Sequence, residues 1–281
     1  MDANAILRAE LAQRHVDRVD DLDDDSIVAL SAQYAVWLPI DTFVRAPWLA
    51  PYAVRKIRIR TDPNAPGPKR DLWGLPDSAG FFTDDNSLLK GVVLRSRVSP
   101  SGSPYGTGTI RRGLVCCHVW PATTADPLLF SFVPNLVWLP ADLAKYSDAH
   151  TIATPHQVHE VLKDAAIHRF GTATPLVALE RVNEVWRRLD RPSSSIRFSI
   201  DNEFVVGDRV VSLVHKRISR LTALLDAVTD EPPRDHARFS KRYHGGTGVL
   251  IDKSVPAVQE FVDRESLVRL RDEMSKCLPA L

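Results

Sequence analysis

No apolar run in this sequence approaches the length of a membrane-spanning helix, so no helical membrane span is expected within it. Its first residues, MDANAILRAELAQR, have no cationic segment followed by an apolar block, which argues against a secretory leader. Cysteine is scarce. Cys116, Cys117 and Cys277 are an odd set with two adjacent members, not a disulfide framework, and a reducing cytoplasm is the expected setting. Excess charge is missing too: 36 Lys and Arg face 35 Asp and Glu, so the total points to no partner. There is no internal repeat and no low-complexity tract, which excludes solenoids and repeat arrays.

What is present is an ordinary globular composition, 44% hydrophobic and 25% charged over 281 residues. That length supports one large domain or two modest ones. The charges are unevenly spread. Residues 1–46 carry four Arg against nine Asp and Glu, whereas residues 52–112 carry eleven Lys and Arg against five Asp. An acidic segment beside a basic one is the pattern of a face that meets an anionic partner; fluctuation of solvated charge is the plain alternative.

Periodicity predicts helices over 2–14 and about 25–36, the second behind the acidic run DDLDDD, which suits a helix N-terminus. VRKIRIR, residues 54–60, alternates Ile57 and Ile59 with Lys56, Arg58 and Arg60, a strand with one apolar and one cationic face. Thr83 or Asp84 is expected to cap a short helix over 86–90, with a strand through 92–98 after it. TIRRGLVCCHVW reads as one strand and LLFSFV as a second, with a short helix after Pro140. From Pro155 the chain reads as mostly helical: 155–171, a segment capped by Thr174, 208–228 and 254–277, with a possible strand at SSSIRFSI. The composition shift divides the chain into a mixed, basic half (1–152) and a mainly helical half (153–281). The fold class expected is α+β.

The stretch from Gly113 to His150 carries the chemistry. It reads strand, loop, strand, turn, helix, with His118 at the end of the first strand and Asn135 opening NLVWLP. CHVWP followed by PNLVWLPADLAKYSD resembles the HNH, or ββα-metal, nuclease finger, over about 36 of the 281 residues. The resemblance implies a central ββα-metal finger at 113–150. It implies a metal-dependent endonuclease that hydrolyses DNA, with a restriction or defence role, and Mg²⁺, or Mn²⁺, as the cofactor. His118 would be the general base, since a histidine of near-neutral pKa can take a proton from water. Asn135 would brace the loop or orient His118. The family's acidic ligand before the base is replaced by Cys117, a soft donor that Mg²⁺ disfavours. The usual ligand on the helix would fall near Ala144, so Asp142, Asp148 or His150 would have to substitute.

Cys116 and Cys117 point to opposite faces of a strand and do not suit a shared zinc. His156 and His159 sit at helix spacing, either as metal ligands or on a solvated face. Trp120, Phe130, Phe132 and Trp138 read as core. Lys56, Arg58 and Arg60, with Arg111 and Arg112 leading into the catalytic strand, form the expected phosphate-binding face. A homodimer is compatible with all of this. Two other readings stay open: a nucleic-acid-binding protein with a degenerate finger, and an interaction protein built on the helical half.

Overall fold

A computed structural model describes residues 1–55, 82–84, 96–99, 103–147, 155–193, 202–230 and 264–279. In chain order the elements are α1 (Ala3–Gln13), α2 (Asp24–Tyr34), β1 (Val36–Trp37), α3 (Ile40–Arg45), β2 (Ala53–Arg55), β3 (Phe82–Asp84), β4 (Ser96–Ser99) and β5 (Thr109–Ile110). Next come β6 (Leu114–His118), β7 (Leu136–Pro140), α4 (Ala141–Ala144), α5 (Pro155–Phe170), α6 (Leu179–Arg188), β8 (Asn202–Val205), α7 (Arg209–Thr229) and α8 (Arg264–Lys276). Helices and a mixed sheet make this an α+β protein. Among the described residues, no helix is long and apolar enough to cross a membrane.

The first two helices begin where side chains can serve unpaired backbone donors. Asp2 accepts from the N–H groups of Asn4 and Ala5 at 3.0 and 3.4 Å, and Asp23 accepts from that of Ser26 at 2.7 Å. Behind its cap α1 turns Ala3, Leu7 and Leu11, one residue per turn, into the core.

Six strands form the main sheet in the order β5-β4-β8-β1-β7-β6. All pairs are antiparallel except β1 with β8. β8, from the second half of the chain, lies between β4 and β1, so this sheet crosses residue 152, and one hydrophobic core runs through both halves. Edge-to-face rings link its layers. Phe170 meets both Trp37 and Phe43, Phe43 meets Phe132, and Trp186 meets both Phe132 and Trp120, at centroid distances of 5.4–6.2 Å.

Several sequence expectations need correction. The strand read through 109–120 is two strands, because Gly113 breaks it. Gly113 has φ +88°, and a Cβ there would collide with the Asp2 carboxylate. LLFSFV is not a strand: Asp126 starts a turn by accepting from the N–H groups of Leu128 and Leu129, and Val133–Asn135 is a 3₁₀ turn through Pro134. The second strand of the hairpin is LVWLP. Thr83 and Asp84 lie in β3, paired in parallel with β2; the helix expected after them lies outside the described residues. α6 begins at Leu179, after Ala178 at φ 49°, so Thr174 is not its cap. Most of the cationic strand, Lys56, Arg58 and Arg60 included, lies outside the described residues, as do 86–90, all of SSSIRFSI after Ser193, and 254–263.

Candidate active site

β6 and β7 pair antiparallel, from Leu114 opposite Pro140 to His118 opposite Leu136. α4 and the 3₁₀ turn Lys145–Ser147 follow β7 directly, and α4 packs on both strands. The loop joining the strands, 119–135, leaves from His118 and returns at Asn135.

His118 is half-buried, and its ring stacks on Phe130 at 5.7 Å. Its Nε2 lies 2.9 Å from the carbonyl oxygen of Phe130. A carbonyl oxygen only accepts, so Nε2 carries the hydrogen and Nδ1 is the lone-pair nitrogen. A fixed tautomer with its basic nitrogen defined is what proton abstraction requires.

The position of the Phe130 carbonyl depends on Asn135, which is fully buried. Its Oδ1 accepts from the Trp120 N–H at 2.9 Å, and its Nδ2 donates to Thr123 Oγ1 at 2.9 Å and to the Leu129 carbonyl at 2.8 Å. Asn135 therefore ties the start of the loop to the residue before Phe130. It braces the loop, and its amide is committed to loop partners and not to the His118 ring. Other elements hold the same loop. Trp48 Nε1 donates to the Leu128 carbonyl at 2.7 Å, Leu49 N to that of Ser131 at 3.1 Å, and Arg188 pairs with Asp126. Trp120, Phe130, Phe132 and Trp138 are each at most 2% exposed and belong to the core.

Of the expected metal ligands, Cys117 and Asp142 do not gather at His118. Cys117 alternates with His118 along β6, so its side chain lies on the other face, buried, with Sγ 3.6 Å from the Val115 carbonyl. Cys116 shares the His118 face, and burial pushes its thiol well above the ordinary range. Asp142 sits at the opposite end of the hairpin, since Ala141 N donates to the Gly113 carbonyl at 2.9 Å. Five residues of strand separate Gly113 from His118, about 16 Å. There the Asp142 carboxylate takes Arg8 Nε at 2.8 Å and Nη2 at 3.3 Å, and the Arg8 hydrogen bond holds its pKa below the usual carboxylate value. Asp148 and His150 lie outside the described residues. Among those described, no three His, Cys, Asp or Glu side chains form a group that could hold a cation. Cys117 and Asp142 thus do not fit a divalent ion beside His118.

Arg111 and Arg112 are exposed, at the same far end as Asp142. Arg112 pairs with Asp2 at 2.9 Å while its side chain stays 81% exposed, so that contact is weak and exchangeable. His159 is not on a solvated face: it is buried, with Nδ1 2.7 Å from the Val119 carbonyl. The residues that sequence reasoning missed are Phe130, Thr123 and Asp126. Phe130 acts through its backbone, which no residue type announces; the turn-forming Asp126 ahead of Pro127 was the available signal.

Comparison with family models, with curated proteins and with solved structures yields no match to this chain.

Proposed function

We propose that this chain is an endonuclease that hydrolyses phosphodiester bonds in DNA, with His118 as the general base. The observation that carries the reading is the 2.9 Å contact between His118 Nε2 and the Phe130 carbonyl, on a loop braced by Asn135. In the reaction, Nδ1 takes a proton from water, the hydroxide oxygen bonds to phosphorus, and the P–O bond to the leaving oxygen breaks, its electron pair staying on that oxygen, which takes a proton from bulk water. The Phe130 carbonyl stabilises the imidazolium that results, which is the state the transition state approaches. The resemblance assigns the phosphate charge to a divalent cation. Cys117 and Asp142 do not fit as its ligands, and the reading rests on the base. Arg111 and Arg112 precede Gly113, at the end of the hairpin about 16 Å along β6 from His118. At that distance they would hold the DNA backbone several nucleotides from the bond that is cut, without reading sequence.

A second reading, DNA binding without hydrolysis, is favoured by one observation: Asp142 is tied to Arg8 instead of standing near the base. Nicking of supercoiled plasmid by the purified chain, in a series of Mg²⁺ and Mn²⁺ concentrations, separates the two. Nicking upholds the nuclease. Salt-sensitive gel shifts with no nicking in any metal leave the binding protein, and neither activity removes both.

A further inference from the structure

We infer that His159, in the helical half of the chain, is a positioning residue for His118, an inference that rests on the reading of His118 as the base. His118 is the last residue of β6, so its place depends on what fixes the two residues after it. Three of the four backbone polar groups of Val119 and Trp120 are held from within the hairpin and its loop. Val119 N donates to the Asn135 carbonyl at 3.0 Å, Trp120 N to Asn135 Oδ1 at 2.9 Å, and the Trp120 carbonyl accepts from Thr123 Oγ1 at 2.8 Å. The fourth, the Val119 carbonyl, is held by His159 Nδ1 at 2.7 Å, from α5, forty residues along the chain. Facing a carbonyl, Nδ1 must carry the hydrogen.

The ring is 4% exposed, so this donor is not exchangeable with bulk water. A second link runs parallel to it. Lys163, one turn along α5, donates to Asp190 Oδ2 at 2.6 Å, and the Asp190 carbonyl accepts from Trp120 Nε1 at 3.0 Å. α5 thus holds the strand end directly at Val119, and through Asp190 it is linked to the Trp120 indole. His159 touches neither the reacting atoms nor the His118 ring in any contact described above. Its effect is on where the base stands, and misplacing a catalytic group by about 1 Å is enough to cost roughly 10²-fold in rate.

The test compares His159→Asn with His159→Leu in the full chain. An Asn amide nitrogen takes the place of Nδ1 and keeps the donor; Leu keeps the bulk and removes it. Expected are a fall in kcat of about 10- to 100-fold for H159L with KM within about twofold, and a rate within about twofold of the parent for H159N. H159L cutting at the parent's rate overturns the inference, and so does a folded H159N that fails as H159L does. A second readout needs no cleavage: the ¹⁵N-edited NMR signal of the His118 Nε2–H, slowed in solvent exchange by the Phe130 carbonyl. It should persist in H159N and be lost to exchange in H159L; equal signals in both overturn the inference. If the parent cuts no DNA, the nuclease reading fails and the NMR comparison alone decides the role of His159. If H159L does not fold, H159N decides. A parent-like rate, or His118 signal where the parent does not cut, upholds the inference, and its loss in a folded protein overturns it.

Discussion

The two ends of the β6–β7 hairpin are held by different physics. At the His118 end, buried and half-buried polar groups are hydrogen-bonded to one another: Asn135 to Trp120, Thr123 and Leu129, His118 to Phe130, His159 to Val119. At the Gly113 end, beside backbone bonds such as that of Ala141 N to the Gly113 carbonyl, the side-chain contacts include ion pairs of exposed arginines with part-buried aspartates, Arg8 with Asp142 and Arg112 with Asp2. The first kind fixes geometry, because leaving a buried group unmade is costly. The second is worth little, because water and salt screen it. The difference separates the parts of the HNH-like pattern. Its His and Asn fall in the rigid end, while Asp142, one of its candidate ligands, falls in the exchangeable end, bound to another partner.

The strongest break of this contrast is Cys117→Asp. It restores the carboxylate that the HNH pattern has at this position, but on the buried face away from His118. It should destabilise the fold by roughly 3–5 kcal/mol without raising cleavage, as an unpaired buried charge does. A gain in metal-dependent cutting by a stable C117D would show that the face assignment is wrong. Next in size is Asn135→Ala, which leaves the Trp120 N–H and the Leu129 carbonyl without their partner. A loss of about 2–4 kcal/mol in urea denaturation is expected, together with loss of cleavage.

Glu273 gives an intermediate effect outside the hairpin. Burial raises its pKa, but hydrogen bonds from Lys276, Tyr52 and Arg181 outweigh that and bring it down to about 2. Its folded pKa lies below the unfolded one, so its stabilisation is present above about pH 4.5 and is lost as pH falls towards 2. Asp20, held by Lys145 and Tyr146 at about 2, acts in the same direction over a window that begins lower, near pH 3.8. Glu273→Gln should cost roughly 1–3 kcal/mol at pH 7 and make the melting temperature less sensitive to acid; an unchanged acid slope would contradict the assignment. The smallest effect belongs to the exposed end. Asp142→Asn should change stability by about 1 kcal/mol or less and leave cleavage unchanged. A D142N chain that folds but no longer cuts would return Asp142 to the site.

Much of this was legible in the sequence, for identifiable reasons. α1, α2, α5 and α7 announced themselves through period and caps, which are local. The order strand, loop, strand, helix was legible from Pro140 and NLVWLP. What failed was set by non-local contacts. Gly113 reads as an ordinary strand residue until Asp2 is seen packed against it. LLFSFV has strand composition, but Asp126 and Pro134 spend its backbone groups on turns. His159 could not be assigned from helix period, because its partner is a carbonyl forty residues away. The end of the hairpin on which Asp142 falls follows from register, which composition does not give, whereas the face of Cys117 opposite His118 follows from strand alternation alone.

The central claim is that His118 is a general base in a preorganised site. The measurement that tests it most directly is plasmid nicking by His118→Ala beside the parent, with thermal melts and gel shifts on both proteins. The account predicts a loss of about 10²–10⁴-fold in cleavage, with fold and DNA affinity nearly unchanged. A folded His118→Ala that binds and cuts like the parent would contradict it.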